Sequence, residues 1–115
     1  MKGNSKKLFQ TREFAKLSGV TVRTLHHYDR LGLLKPSRYS PAGYRLYSEG
    51  DFARLEQIVA LKFIGFSLRE VKNILNHGPS DLMTALRQQR EAIEEKRRRL
   101  ELAIQAIQRA EYIVG

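Results

Sequence analysis

Arg23, His27 and Arg30 are the side chains of this 115-residue chain whose types and spacing most clearly point to a chemistry. Positions i, i+4 and i+7 share one face of an α-helix, so the three would form a donor-rich stripe suited to a polyanion. Thr21 and Thr24 start the same helix, where free backbone amides and the positive helix end help them reach phosphates or base edges. Arg23 is the best candidate for a bidentate contact to a base, because its planar fork matches two acceptors on one base edge. Val22, in the same first turn, belongs to this nucleic-acid-facing set and also gives the helix an inward edge with Leu25 and Tyr28. Tyr28 can serve both sides, its ring packed in the core edge and its hydroxyl reaching a phosphate. A second group lies at Tyr39, Ser40, Gly43, Tyr44 and Arg45, where Arg45 would bind phosphate and the others would support it at the backbone or minor groove.

These residues need two elements to hold them. Thr11 can cap a first helix in which Phe14, Ala15 and Leu17 recur at helical spacing. Ser18-Gly19-Val20 stops it, and Thr21 caps the helix of the recognition stripe. Helix, tight Gly-containing turn and helix is the spacing of a helix-turn-helix, and a plain structural hairpin of helices has the same spacing. The second helix ends near Leu31-Gly32, and Leu33-Leu34-Lys35-Pro36 is an extended exit, since the residue before proline is pushed out of the helical region. The run 38–47 is a hairpin, or wing: Pro41 suits the first central turn position, Gly43 can take positive φ, and Tyr44-Arg45-Leu46-Tyr47 favours a strand.

Behind the wing the pattern is helical again. Ser48-Glu49-Gly50-Asp51 has the spacing of a capping box and opens a third helix expected to turn Phe52, Leu55, Ile58, Val59 and Phe63 inward. Gly65 is its stop and Phe66 the accompanying apolar contact. Ser67-Leu68-Arg69-Glu70 is a capping box for a fourth helix through Leu75, ended by Asn76-His77-Gly78-Pro79.

Charge is concentrated on the stretch of chain that holds these elements rather than spread. The chain has a net charge of +9. Residues 1–47 hold ten Lys and Arg against two acids, Glu13 and Asp29, a net +8. Residues 48–79 are neutral and residues 80–115 carry +1. Such a footprint is that of a module that neutralises phosphates and releases counterions. There is no cysteine, hence no disulfide, thiolate metal site or cysteine nucleophile, and a reducing cytoplasm is the expected location. No apolar run approaches the roughly 18 residues that span a bilayer, and the N-terminus lacks the apolar core of a secretory signal. His26 and His27 point about 100° apart on one helix and His77 is remote, so neither a metal nor a cofactor is expected. No acid/base pair, phosphate loop or nucleophile constellation supports an enzyme.

From Ser80 to Val114 the sequence has no breaker. Leu86, Ile93, Leu100, Ile107 and Val114 recur at intervals of seven, and Leu82, Ala103, Ile104 and Ala110 form a broken second seam. A long helix with this stripe should pair with a second copy through Leu86, Ile93, Leu100, Ile104, Ile107 and Val114, in a sense that heptads alone leave open. The other reading is that it folds back on its own globular half. Lys96-Arg97-Arg98-Arg99 resembles a nucleic-acid patch, but Glu91, Glu94, Glu95 and Glu101 surround it, which favours a solvated flank of this helix over that reading.

Taken together, Thr21-Val22-Arg23-Thr24-Leu25-His26-His27-Tyr28-Asp29, Gly32-Leu33-Leu34-Lys35-Pro36 and Ala42-Gly43-Tyr44-Arg45-Leu46-Tyr47 resemble the MerR family of transcription regulators. Leu55-Glu56-Gln57-Ile58, Lys62-Phe63-Ile64-Gly65-Phe66-Ser67-Leu68 and Glu70-Val71 also fit, and the double histidine is similar to the TipA-like, multidrug-responsive branch. The resemblance implies a mostly α fold: a flexible basic N-terminus over 1–7, a winged helix-turn-helix domain over 8–77, and a dimerisation helix over 80–115 in an antiparallel coiled coil. It adds His27 and Tyr28 as DNA contacts. It further implies a homodimer on a near-palindromic element of double-stranded promoter DNA, distorting the spacer so that RNA polymerase, engaged indirectly, can use it. Relatives with a ligand pocket continue into an effector domain, so the effector is left open. An architectural DNA-bending protein is the alternative function, and a coiled-coil assembly module with an incidental basic lobe is a third.

Overall fold

The computed structural model describes residues 7–115, so the basic lead-in expected over 1–7 lies, except for Lys7, outside the described residues. The element order is β1 (Leu8–Gln10), α1 (Thr11–Ser18), α2 (Val22–Arg30), β2 (Arg38–Tyr39), β3 (Arg45–Ser48), α3 (Glu49–Ile64), α4 (Leu68–His77) and α5 (Pro79–Val114). Two compact units divide between Asn73 and Ile74.

In the first unit a small sheet of order β1-β3-β2 joins the N-terminus to the wing. β1 pairs antiparallel with β3, Phe9 opposite Tyr47, and β2 pairs antiparallel on the other edge, Tyr39 opposite Arg45. β1 is absent from the sequence expectation because three residues are too few to display strand alternation. The expected cap of α1 is corrected by one position: Thr11 is already helical, and the extended N-cap is Gln10, whose side chain makes no capping bond. The strand there sets the entry of the helix in place of a hydroxyl cap.

Four aromatic rings lock sheet to helices. Phe14 stacks on Tyr47 with centroids 4.5 Å apart, Phe52 lies 4.2 Å from Phe14, and Phe9 meets Phe52 edge-on at 5.3 Å. Leu25, Leu33, Ile58 and Val71 complete the core, each essentially without solvent exposure.

The inward face of α3 differs from expectation. Leu55, Ile58 and Leu61 are buried, whereas Val59 is half exposed and Phe63 is 91% exposed. At about 100° per residue, Val59, Phe63 and Phe52 lie on a flank roughly 120° from the centre of the buried face. The rings of β1 and α1 cover Phe52, but nothing in this unit covers the later turns. The flank instead lines an open groove of about 770 Å³ with Leu17 and Leu55.

Both expected capping boxes form around this helix and the next. The Asp51 carboxylate accepts from the Ser48 amide at 2.8 Å. The Glu70 carboxylate accepts from the Ser67 amide at 2.8 Å, and Ser67 Oγ accepts from the Glu70 amide at 3.1 Å. Gly65 and Phe66 close α3 by donating to the carbonyls of Lys62 and Leu61.

In the second unit α5 is one uninterrupted 36-residue helix with proline in its first turn, where a missing N–H costs nothing. Glu95 pairs with Arg98 and, at 3.7 Å, with Arg99, in line with a solvated charged flank. No helix of the described residues is long and apolar enough to cross a membrane.

Candidate nucleic-acid interface

The turn before α2 is set by Gly19, at φ 80° and ψ 14°, a left-handed conformation that disfavours any residue with a Cβ. Its amide donates to the Ala15 carbonyl at 2.9 Å. Thr21 then caps α2 as expected: its Oγ1 accepts from the Thr24 amide at 3.0 Å and its hydroxyl donates to Thr24 Oγ1 at 2.9 Å. The two threonines are thereby fixed relative to each other at the positive end of the helix.

Along α2 the faces separate as the sequence predicts. Arg23, His27 and Arg30 are exposed, Leu25 and Tyr28 are buried, and Val22 and Thr24 are half-buried between them. Neither Arg23 nor Arg30 makes an ion pair among the described residues. The stripe is thus a set of uncommitted donors on a rigid, capped element. The Tyr28 ring is a core residue, and burial pushes its phenol pKa up, so the hydroxyl stays a proton donor at neutral pH. His26 is half-buried beside the stripe.

The wing turn spans Ser40 to Gly43. The Gly43 amide donates to the Ser40 carbonyl at 2.8 Å with Gly43 at φ 89°, the Ser40 amide donates to the Tyr44 carbonyl at 2.8 Å, and Ser40 Oγ accepts from the Tyr44 amide at 3.0 Å. Ser40 is therefore foremost a turn-former, and its hydroxyl hydrogen is what remains for a ligand. Tyr39 and Tyr44 are both more than half exposed.

Arg45 occupies a more constrained position than the sequence indicates. Its Nε donates to Asp29 Oδ2 at 2.8 Å, bridging the last turn of α2 to β3. Lys35 Nζ lies 3.3 Å from both Asp29 Oδ1 and the Asp29 carbonyl. Burial alone would raise the Asp29 pKa, but the hydrogen bonds and charges of Arg45 and Lys35 outweigh it and hold the carboxyl below its ordinary value. The same bond from Asp29 raises the Arg45 pKa.

Between α1, α2 and the wing runs a cleft of about 540 Å³ lined by Gln10, Thr11, Arg12, Val22, His26 and Gly43–Arg45. Arg12, which lines this cleft, and Asp29, which holds Arg45, are residues that sequence reasoning did not single out. Arg12 had a signal, a cation in the first turn of a helix within a basic lobe; Asp29 ends the run that carries the family resemblance, but its spacing gives no sign of the bond to Arg45.

On α5 the expected dimerisation residues form a line of apolar side chains. Leu86 is half-buried, while exposure of Ile93, Leu100, Ile104, Ile107 and Val114 runs from 45% at Ile93 to 88% at Val114. Met83, Leu102, Tyr112 and Ile113 are also exposed.

Comparison with known proteins agrees with this geometry. A family described as "MerR HTH family regulatory protein" matches residues 9–78, and one described as "MerR, DNA binding" matches residues 52–110. The HTH-type transcriptional activator mta of Bacillus subtilis is 48% identical over 101 residues, 88% of this chain and 39% of that protein. The HTH-type transcriptional activator TipA of Streptomyces coelicolor is 41% identical over 102 residues, 89% of this chain and 40% of that protein. The crystal structure of MtaN, the Bacillus subtilis multidrug transporter activator N-terminus, superposes with a TM-score of 0.77 at 47% identity, covering 89% of this chain and 96% of that one. The chain spans about two fifths of the length of the curated relatives it matches.

Proposed function

Because the chain belongs to the MerR family of helix-turn-helix regulatory proteins, we propose that it acts as a homodimer that binds a near-palindromic promoter element and distorts its spacer to control RNA polymerase. The observation that carries this reading is the two-faced recognition helix. Arg23, His27 and Arg30 stand free on one side of α2 while Leu25 and Tyr28 anchor the other in the core. A helix so held can enter a major groove, with Arg23 on a base edge and Thr21, Thr24 and Arg30 on the flanking phosphates. The wing supplies Arg45 as the phosphate clamp, with Tyr39, Ser40, Gly43 and Tyr44 beside it.

The heptad stripe of α5 supports the second half of the reading. At 36 residues the helix is about 54 Å long. Two such helices packed antiparallel through Leu86, Ile93, Leu100, Ile104, Ile107 and Val114 would join two reading heads in one dimer. A two-fold dimer reads a two-fold site, so symmetry and half-site spacing become properties of the DNA it selects. Two joined heads that both engage a spacer of unsuited length bend or untwist it, and the cost is met by the extra phosphate contacts.

Selection of bound duplexes from a random pool tests this reading. An inverted repeat with one preferred spacing is the expected outcome. Recovery of unrelated sequences would instead identify an architectural DNA-bending protein, and failure to recover DNA would leave an assembly module.

A further inference from the structure

Asp29 is the buried charged residue of the described chain, 7% exposed, and it sits in the lobe where ten basic residues face two acids. For binding a polyanion, an acid in that place is a Coulombic cost. Its surroundings indicate what offsets the cost. The carboxylate takes Arg45 Nε at 2.8 Å and leaves the two terminal guanidinium nitrogens of Arg45 without a hydrogen bond among the described residues. Arg45 also lines the cleft that opens beside Arg12 and the start of α2. An unrestrained arginine samples many rotamers and loses that freedom when it grips a phosphate; one held at Nε has lost it beforehand. The bridge joins the last turn of the recognition helix to β3, so the clamp and the reading stripe are set relative to each other by one carboxylate.

We propose that Asp29 is a positioning residue for DNA binding: its grip on Arg45 Nε aims the terminal nitrogens of the wing arginine at a phosphate in the register of α2. The inference rests on the DNA-binding reading above and adds to it a residue that cannot itself touch the DNA favourably.

Charge and position give opposite signs, which makes the test sharp. Asp29→Asn removes a negative charge from the DNA-facing lobe at almost constant volume. If charge alone matters, affinity rises. If Asp29 positions Arg45, affinity falls, by about tenfold, as a charge-assisted phosphate contact is loosened. The measurement is the Kd of the full chain for a duplex that the wild type binds, compared with Asp29→Asn, Arg45→Ala and the double variant, each checked for wild-type helical circular dichroism. Positioning predicts that Asp29→Asn weakens binding in the wild-type background and no longer weakens it once Arg45 is alanine. Equal or tighter binding by Asp29→Asn, or the same weakening in both backgrounds, overturns the proposal. Should Asp29→Asn not fold, Asp29→Glu takes its place: it keeps the charge but displaces the carboxylate by one methylene, so positioning predicts weaker binding that depends on Arg45, and a charge role predicts wild-type affinity. The comparison is a ratio on any bound duplex, so it stands apart from whether the wild type prefers one sequence; absence of all DNA binding by the wild type overturns both readings.

Discussion

Arg23 and Arg45 carry the same side chain in different surroundings, and the difference assigns them different effects. Arg23 is exposed on the outer face of α2, while the Nε of Arg45 is held by Asp29 in the wing. Arg23→Ala should relax discrimination at one base pair of each half-site by about 1–3 kcal/mol. Arg45→Ala should weaken binding evenly across sequences and reduce the salt slope by about one. Titration of single-base variants of the site, at several salt concentrations, separates the two; identical behaviour would refute the division of roles. Tyr47 gives a stability prediction at the same scale. Its hydroxyl is fully buried with no hydrogen-bond partner among the described residues. A buried donor left unsatisfied is costly, so Tyr47→Phe should raise stability by about 1 kcal/mol in a urea titration, with the Phe14 stack intact. Residue identities on the recognition helix were legible because periodicity 3.6 separates Arg23, His27 and Arg30 from Leu25 and Tyr28. Asp29 was not, because nothing in the local pattern says that an acid in the last turn of one helix will meet an arginine sixteen residues later.

Elements were legible where local chemistry decides them. Thr21 caps α2, and Ser67 with Glu70 boxes the start of α4, since each bond joins residues three apart in the chain. β1 and the outer flank of α3 were not, since three residues carry no period and Val59 and Phe63 depend on how far the rings of Phe9 and Phe14 reach along a neighbouring helix. The joint between α2 and β3 carries a pH dependence. The Asp29 pKa is lower in the folded chain than its unfolded value near 4. In the interval between the two, the unfolded chain binds more protons, so the joint's contribution is fully present above about pH 4 and is lost as pH falls through the folded pKa. Denaturant midpoints measured from pH 6 downward should fall more steeply for the wild type than for Asp29→Asn; parallel curves would remove the ion pair from the stability of the fold.

The whole molecule combines a basic lobe with a nearly neutral long helix. Eight of its nine net positive charges lie in residues 1–47. The apolar stripe of α5 was legible from spacing alone, but spacing does not say in which sense two such helices would pair, because an apolar stripe is satisfied by either direction. Leu100 is 58% exposed in the single chain, so Leu100→Glu should leave the first unit folded while shifting the sedimentation coefficient from dimer to monomer. Affinity for a two-half-site duplex should drop about a hundredfold with it, as the second head is no longer tethered. Two-headed binding is tested by an anisotropy titration of the purified chain against three duplexes: the selected inverted repeat, the same duplex with one half-site scrambled, and one with both scrambled. A dimer with two reading heads should lose about a hundredfold or more in affinity on scrambling either half-site, with log affinity falling linearly with log salt. Equal affinity for all three duplexes would contradict it.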